Sequence, residues 1–177
     1  MKFEPPRWGY QSMEKQENIK TRFRVLERNV LILTGLPLPP FAFAYLYTTS
    51  RSMEISLPEI PLFLNSLMMG LVVGLLVVQW LQFHRGIKKT RVSNTTLDER
   101  LHSYKELTMS RFWKLFAIGF ICAAGLLFYE NPGFTIAYAV TLIYVSLGKP
   151  TPDRIAKLLR LKGEEKDLVY SINQREG

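Results

Sequence analysis

Residues of one character come in blocks along this chain. Four stretches carry no Asp, Glu, Lys or Arg, namely 29–50, 60–84, 115–129 and 131–148, and the segments between them are dense in charge. A soluble globular chain spreads its charges at helical or strand spacing through each element. Long uncharged blocks instead predict membrane-crossing helices. The second block, "IPLFLNSLMMGLVVGLLVVQWLQF" (60–83), exceeds the roughly 20 apolar residues that a helix needs to cross about 30 Å of hydrocarbon.

The first block contains "TGLPLPPFAFAY" (34–45), with prolines at 37, 39 and 40. Within hydrocarbon every backbone donor and acceptor must be satisfied by the protein itself. Each proline lacks an amide hydrogen and frees the carbonyl four residues earlier, which kinks or breaks a helix. Thr34 is placed to bond a carbonyl one turn back, and Gly35 would let another backbone come close. The reading is a span over 30–48 kinked near 36–40. A re-entrant segment is the alternative, which leaves three spans and puts the termini on opposite sides.

The third and fourth blocks predict a hairpin. "FWKLFAIGFICAAGLLFY" (112–129) begins with Lys114 near the interface, where its stem can snorkel. "ENPG" (130–133) is a tight turn, with Asn131 as N-cap and Pro132 at the first position of a helix over 132–148. The chain is thus expected to be an all-α membrane protein forming one domain, with spans at about 30–48, 60–83, 112–129 and 132–148. Charged segments over 1–28, 84–111 and 149–177 complete it. These segments also read as helical. Ile19, Phe23, Leu26 and Val30 form one face leading into the first span. Thr96 and Glu99 form a capping box ahead of the stripe Leu97, Leu101, Tyr104 and Leu107. In "TPDRIAKLLRLKG" Thr151 reads as N-cap and Gly163 as terminator, with Ile155, Leu158 and Leu159 on one side. Such short amphipathic helices belong at the inner membrane surface or beneath the spans.

Charge then orients the chain. Of its 23 Lys and Arg, seven lie in the first 28 residues, eight in 85–114 and seven after Gly148. The connection between the first two spans has only Arg51, and the turn between the last two has none. By the positive-inside rule both termini are expected in the cytoplasm. The net charge of +8 follows from this bias and from anionic headgroups, which leaves nucleic-acid binding the less economical reading. Tyr45, Tyr47 and Tyr129 fall at the expected outer ends, and Trp80, Trp113 and Tyr144 near the inner ends. No apolar core in the first 28 residues suggests a cleaved signal. The lone Cys122 permits no intramolecular disulfide and reads as a packing residue. The glycosylation match at Asn94-Thr95-Thr96 falls on the expected cytoplasmic side and has no use there.

"LDERLHSYKELTMSRF" (97–112), the hairpin after it and "KPTPDRIAKLLRLKGEEKDLV" (149–169) resemble a family of small bacterial, Bacteroidetes-type, four-span integral membrane proteins. The matching residues are Leu97, Leu101, Tyr104, Arg111, Pro150, Thr151, Gly163, Glu164, Glu165 and Lys166. The resemblance implies four spans and a bacterial cytoplasmic (inner) membrane location, and it implies no activity. Members of that family tend to carry an acidic residue early in the third span, where this chain has Phe116.

Candidate chemistry is sparse. His84 and His102 are isolated, and no Cys or acidic partners sit at metal-ligand spacing. No catalytic, cofactor-binding or metal-ligating residue is assigned, and no cofactor is expected. Transporters place ionisable groups at depth, whereas these spans hold only Asn65, Ser66, Gln79 and Thr141. Asn65 and Gln79, fourteen residues apart, share a face and would hydrogen-bond between helices. Gly70-x-x-x-Gly74 and Gly119-x-x-x-Ala123, with Gly125 nearby, predict close helix packing within the chain or between chains. The expected function is a non-catalytic accessory subunit, assembly factor or scaffold of a membrane complex. Its partners would be the lipid bilayer, other membrane subunits or a second copy, and no nucleic acid. The alternative is a small homo-oligomeric transporter or channel with the kinked first span as its moving part.

The charge bias makes topology testable. Reporter fusions after Leu57 and after Gly177 should report opposite sides, the first outside and the second cytoplasmic. Finding both on one side would overturn either the span count or the orientation.

Overall fold

The structure, a computed structural model, describes residues 7–50, 58, 60–92 and 96–171. The secondary structure is all-helical, with no strand among the described residues. The elements are α1 (Arg7–Gly35), α2 (Leu38–Thr49), α3 (Leu62–Val92), α4 (Leu97–Tyr129), α5 (Pro132–Gly148), α6 (Pro152–Leu159) and α7 (Glu164–Ser171). Three helical stretches are long and apolar enough to cross a membrane: Lys20–Thr49, which joins α1 to α2, then Leu62–Thr90 and Leu97–Tyr129. The fourth apolar stretch, Pro132–Gly148, is shorter.

The apolar stretches do not start where the helices start. The stripe through Leu97, Leu101 and Tyr104 and the expected third span form one uninterrupted helix, α4, of 33 residues. At about 1.5 Å per residue it is near 50 Å long, well beyond the hydrocarbon thickness. Its first turns therefore project past the apolar layer. The capping box that opens it is formed: Glu99 N donates to Thr96 Oγ1 at 3.5 Å and Thr96 N donates to a Glu99 carboxylate oxygen at 3.2 Å. α3 likewise runs on past residue 83 to Val92.

α4 lies at the centre and packs against α1, α2, α3 and α5. α3 is antiparallel to it, since Gly86 sits against Leu107 and Lys114 Nζ donates to Gln82 Oε1 at 2.6 Å. At the other end Asn131 Nδ2 donates to Asn65 Oδ1 at 3.2 Å. α5 returns antiparallel through the tight turn. Glu130 takes the left-handed conformation at φ 50°, and the Asn131 side chain caps α5 by accepting from Gly133 N at 2.9 Å. The outcome gathers the charged parts of α1, α3 and α4 at one end, where Arg22 pairs with Asp98 at 3.6 Å. The side chain of Ile19, Arg51 and the positions Asn94 and Thr95 lie outside what is described.

The proline stretch interrupts the helix where a kink is expected, and the interruption is a full turn rather than a bend. α1 ends at Gly35, a turn covers Leu36 and Pro37, and α2 resumes at Leu38. Thr34 Oγ1 donates to the Val30 carbonyl at 2.8 Å. That carbonyl is not one of those freed by the prolines, which belong to Leu33, Gly35 and Leu36. The close approach expected at Gly35 does not occur, because a side chain there would meet nothing within 4 Å. It occurs at Pro37, whose Cβ lies 2.7 Å from where a Cβ on Gly119 would be. Phe41, one turn further, stacks on Tyr138 of α5 with ring centroids 3.8 Å apart.

One further expectation is corrected and two are narrowed. Gly163 does not end α6; Arg160 does, in the left-handed conformation at φ 53°, and Gly163 at φ 55° leads into α7. Thr151 stands at the N-cap of α6 with extended backbone, but its side chain makes no capping hydrogen bond. Gly70 and Gly74 also pack nothing within the chain, in contrast to Gly119 and Gly125, the latter lying under the Phe134 ring.

This contrast among glycines generates a stability test. Gly119→Leu must displace Pro37 and should cost about 1–3 kcal/mol, as overpacked cores do. Gly74→Leu enters open space and should leave the unfolding midpoint of the solubilised protein nearly unchanged. Thermal unfolding in detergent measures both, and equal destabilisation would contradict the seating of Pro37 on Gly119.

Candidate functional site

The polar residues at depth divide into one satisfied pair and one orphan. Asn65 is held by Asn131 across the α3–α5 junction, which is the helix-to-helix hydrogen bonding expected of it. Gln79 is 1% exposed on the same face of α3, and neither Nε2 nor Oε1 has a hydrogen-bond partner among the described residues. A buried amide without partners costs about 1–3 kcal/mol. Thr141 turns inward to its own helix, donating to the Ala137 carbonyl at 2.8 Å. Tyr138 is buried with its hydroxyl unpartnered among the described residues, beside the break. Ser66 is exposed.

One turn or so below Gln79, Arg111 is 9% exposed and supplies the charged feature of this seam. Its guanidinium lies over the Phe83 ring, 4.8 Å from the centroid, and Nη2 donates to the Tyr144 carbonyl at 2.9 Å. Tyr144 belongs to the last turns of α5, a helix with no basic residue of its own there. Carbonyls near a helix C-terminus carry partial negative charge, and each has a second lone pair beyond its intrahelical bond. Arg111 thus caps α5 from a neighbouring helix. Gly148 leaves the room: a Cβ there would sit 3.2 Å from Arg111 Cζ.

The same device recurs eleven residues earlier, three turns along one face of α4. Arg100 Nη2 donates to the Leu159 carbonyl at the end of α6, and Arg100 also pairs with Glu165 at 3.6 Å. α6 and α7 are joined in turn by the Tyr170 hydroxyl donating to Asp153. That bond favours the protonated phenol and holds Tyr170 above the ordinary tyrosine range. These arginine roles were not read from the sequence. The available signal was α5 ending without a basic residue in its last turn, with arginines spaced three turns apart on α4.

The remaining candidates are placed as follows. Lys114 is tied to Gln82 and to Ser110 at 2.9 Å, near the interface level expected of it. Cys122 is buried in packing. His84 bonds the Trp80 carbonyl at 2.9 Å, and exposed His102 faces Glu106 at 3.7 Å. Phe116, at the position where the resembling family tends to carry an acid, packs between Trp113 and Phe120. Among the described residues no three His, Cys, Asp or Glu side chains gather as a metal site. No family model, curated protein or solved structure matches this chain.

If the Gln79 amide is simply an unsatisfied group, Gln79→Leu should raise the stability of the solubilised protein by about 1–2 kcal/mol. Denaturation in mixed micelles measures this. A loss of stability of similar size would show that the amide has an essential partner.

Proposed function

We propose that this chain is a four-span protein of the bacterial cytoplasmic membrane, with both termini inside. We propose further that it acts without catalysis as an accessory subunit, assembly factor or scaffold of a membrane complex. The 22-to-1 distribution of basic residues supports the orientation. α5, with 17 residues, is at the short end of the spanning range, and Lys149 just beyond it can reach to the headgroups. Membership of the Bacteroidetes-type family that the segment 97–169 resembles belongs to the same proposal.

The observation that carries the accessory reading is the asymmetry of α3. Only 11% of its apolar stretch is buried, against 44% for α4. Leu67, Leu71, Val73, Val77 and Val78 point outward, and Gly70 and Gly74 lie on that outward side with nothing against them. Glycines four apart let a second helix approach closely, so a larger membrane subunit would dock there. The buried, unpartnered Gln79 and the broken first span favour the second reading, a small homo-oligomeric transporter or channel, since broken helices form binding sites at depth.

Gentle solubilisation, pull-down and mass spectrometry separate these readings. A stoichiometric larger partner, lost on Gly70→Leu with Gly74→Leu while the chain stays folded, is the expected result. A clean homo-oligomer that conducts in a planar bilayer would replace it with the transporter reading.

A further inference from the structure

A groove of about 490 Å³ opens between α1 and α5, lined by Arg24, Arg28, Val30, Leu31, Val145 and Lys149 among others. We propose that it binds one anionic phospholipid, whose phosphate meets Arg24, Arg28 and Lys149 and whose acyl chain lies along Val30, Leu31 and Val145. Arg24 and Arg28 are one helical turn apart and so lie on one face of α1. Lys149 follows directly on the last residue of α5, at the same end of the molecule. Among the described residues none of these three cations has an ion-pair partner. Glu27 also lines the groove, which leaves it net positive by two charges (three cations less one carboxylate).

The walls choose the ligand class. From the charged rim the groove runs directly into the uncharged stretch 29–50, where Leu31 is 67% exposed. A soluble phosphate has no apolar part to set against Leu31, Val145 and Phe112, and a peptide would bring backbone amides into the apolar layer without partners. A phospholipid has its anion and its chain in that order, at the depth where a basic pocket between membrane helices meets headgroups. The volume is within the range of pockets that hold small molecules, roughly 300–1,000 Å³. The inference rests on α1 and α5 both crossing the bilayer, with this end at headgroup level.

The test uses the full chain in detergent, titrated with phosphatidylglycerol or phosphatidylcholine and read by native mass spectrometry, together with flotation of the chain on vesicles. Phosphatidylglycerol should be retained in preference. Replacing Arg24, Arg28 and Lys149 together by Gln should lower that retention at least about tenfold. A control replacing Lys88, Lys89 and Lys157 by Gln removes equal charge from the same end and should change it less than about twofold. Val145→Trp narrows the groove with all charges kept and should also reduce retention; it decides alone if the triple variant does not fold. Equal losses in both triples, or no preference in a chain that floats with vesicles, would overturn the lipid site alone. A chain that does not float would overturn the site and the span reading together.

Discussion

Gly119 has no side chain, and the rest of the apolar architecture depends on the seat this leaves for Pro37. A break in a membrane helix frees carbonyls and weakens the rod, so it persists only where a neighbour holds both halves. Here α4 does so: Pro37 rests on Gly119, and past the break Phe41 stacks on Tyr138, which itself lies near Gly119. The first span, α4 and α5 therefore share one contact point. Gly125 repeats the device nearer the turn, where the Phe134 ring takes the place of a missing side chain. Two glycines on α4 thus set how near α2 and α5 approach, and small residues at interfaces are the means by which apolar helices gain dispersion contact in lipid.

Where α4 leaves the apolar layer, its means of attachment changes from small residues to arginines. Arg111 and Arg100, three turns apart on one face, give hydrogen bonds to carbonyls in the C-terminal turns of α5 and α6. The bonds are charge-assisted and meet the negative ends of the two helices; the Leu159 carbonyl has no partner within α6, while the Tyr144 carbonyl gains a second donor. The Arg111 charge is offset by the helix terminus and the face of Phe83 rather than by a carboxylate among the described residues. One long helix thereby orders the whole charged end: α5 stops where Arg111 meets it, and α6 and α7 fold back through Arg100, Glu165 and the Tyr170–Asp153 bond.

Much of this was legible in the chain, and the remainder fails for identifiable reasons. Local chemistry was readable: the Thr96–Glu99 box, the Asn131 cap with Pro132, and the break at the prolines all depend on residues a few positions apart. Glycine roles were not. Gly70 and Gly119 look alike in sequence, yet one faces outward and one seats a proline, because the distinction depends on which face of each helix meets a neighbour. Gly163 misled for a related reason. It reads as the terminator, but Arg160 takes the left-handed position first, and the loop between them shifts the glycine to the start of α7. The arginine caps were hidden because donor and acceptor are 33 and 59 residues apart.

The asymmetry of α3 is what connects this architecture to the function proposed for it. Its inward face is specified in detail by Asn65, Val72, Gln79, Phe83 and Ile87, while its outward face offers only apolar side chains and two glycines. If lipid alone covered that outer side, bulky residues would serve better, since glycine weakens a helix by roughly 1 kcal/mol relative to alanine. Two such residues one turn apart, on a helix already committed to α4 by its other face, make sense when a second helix comes close enough to use the gap. The order inside the chain and the openness on one flank then have a common cause: α4 takes up the inward faces of its neighbours, and the outward face of α3 is left for the partner proposed above.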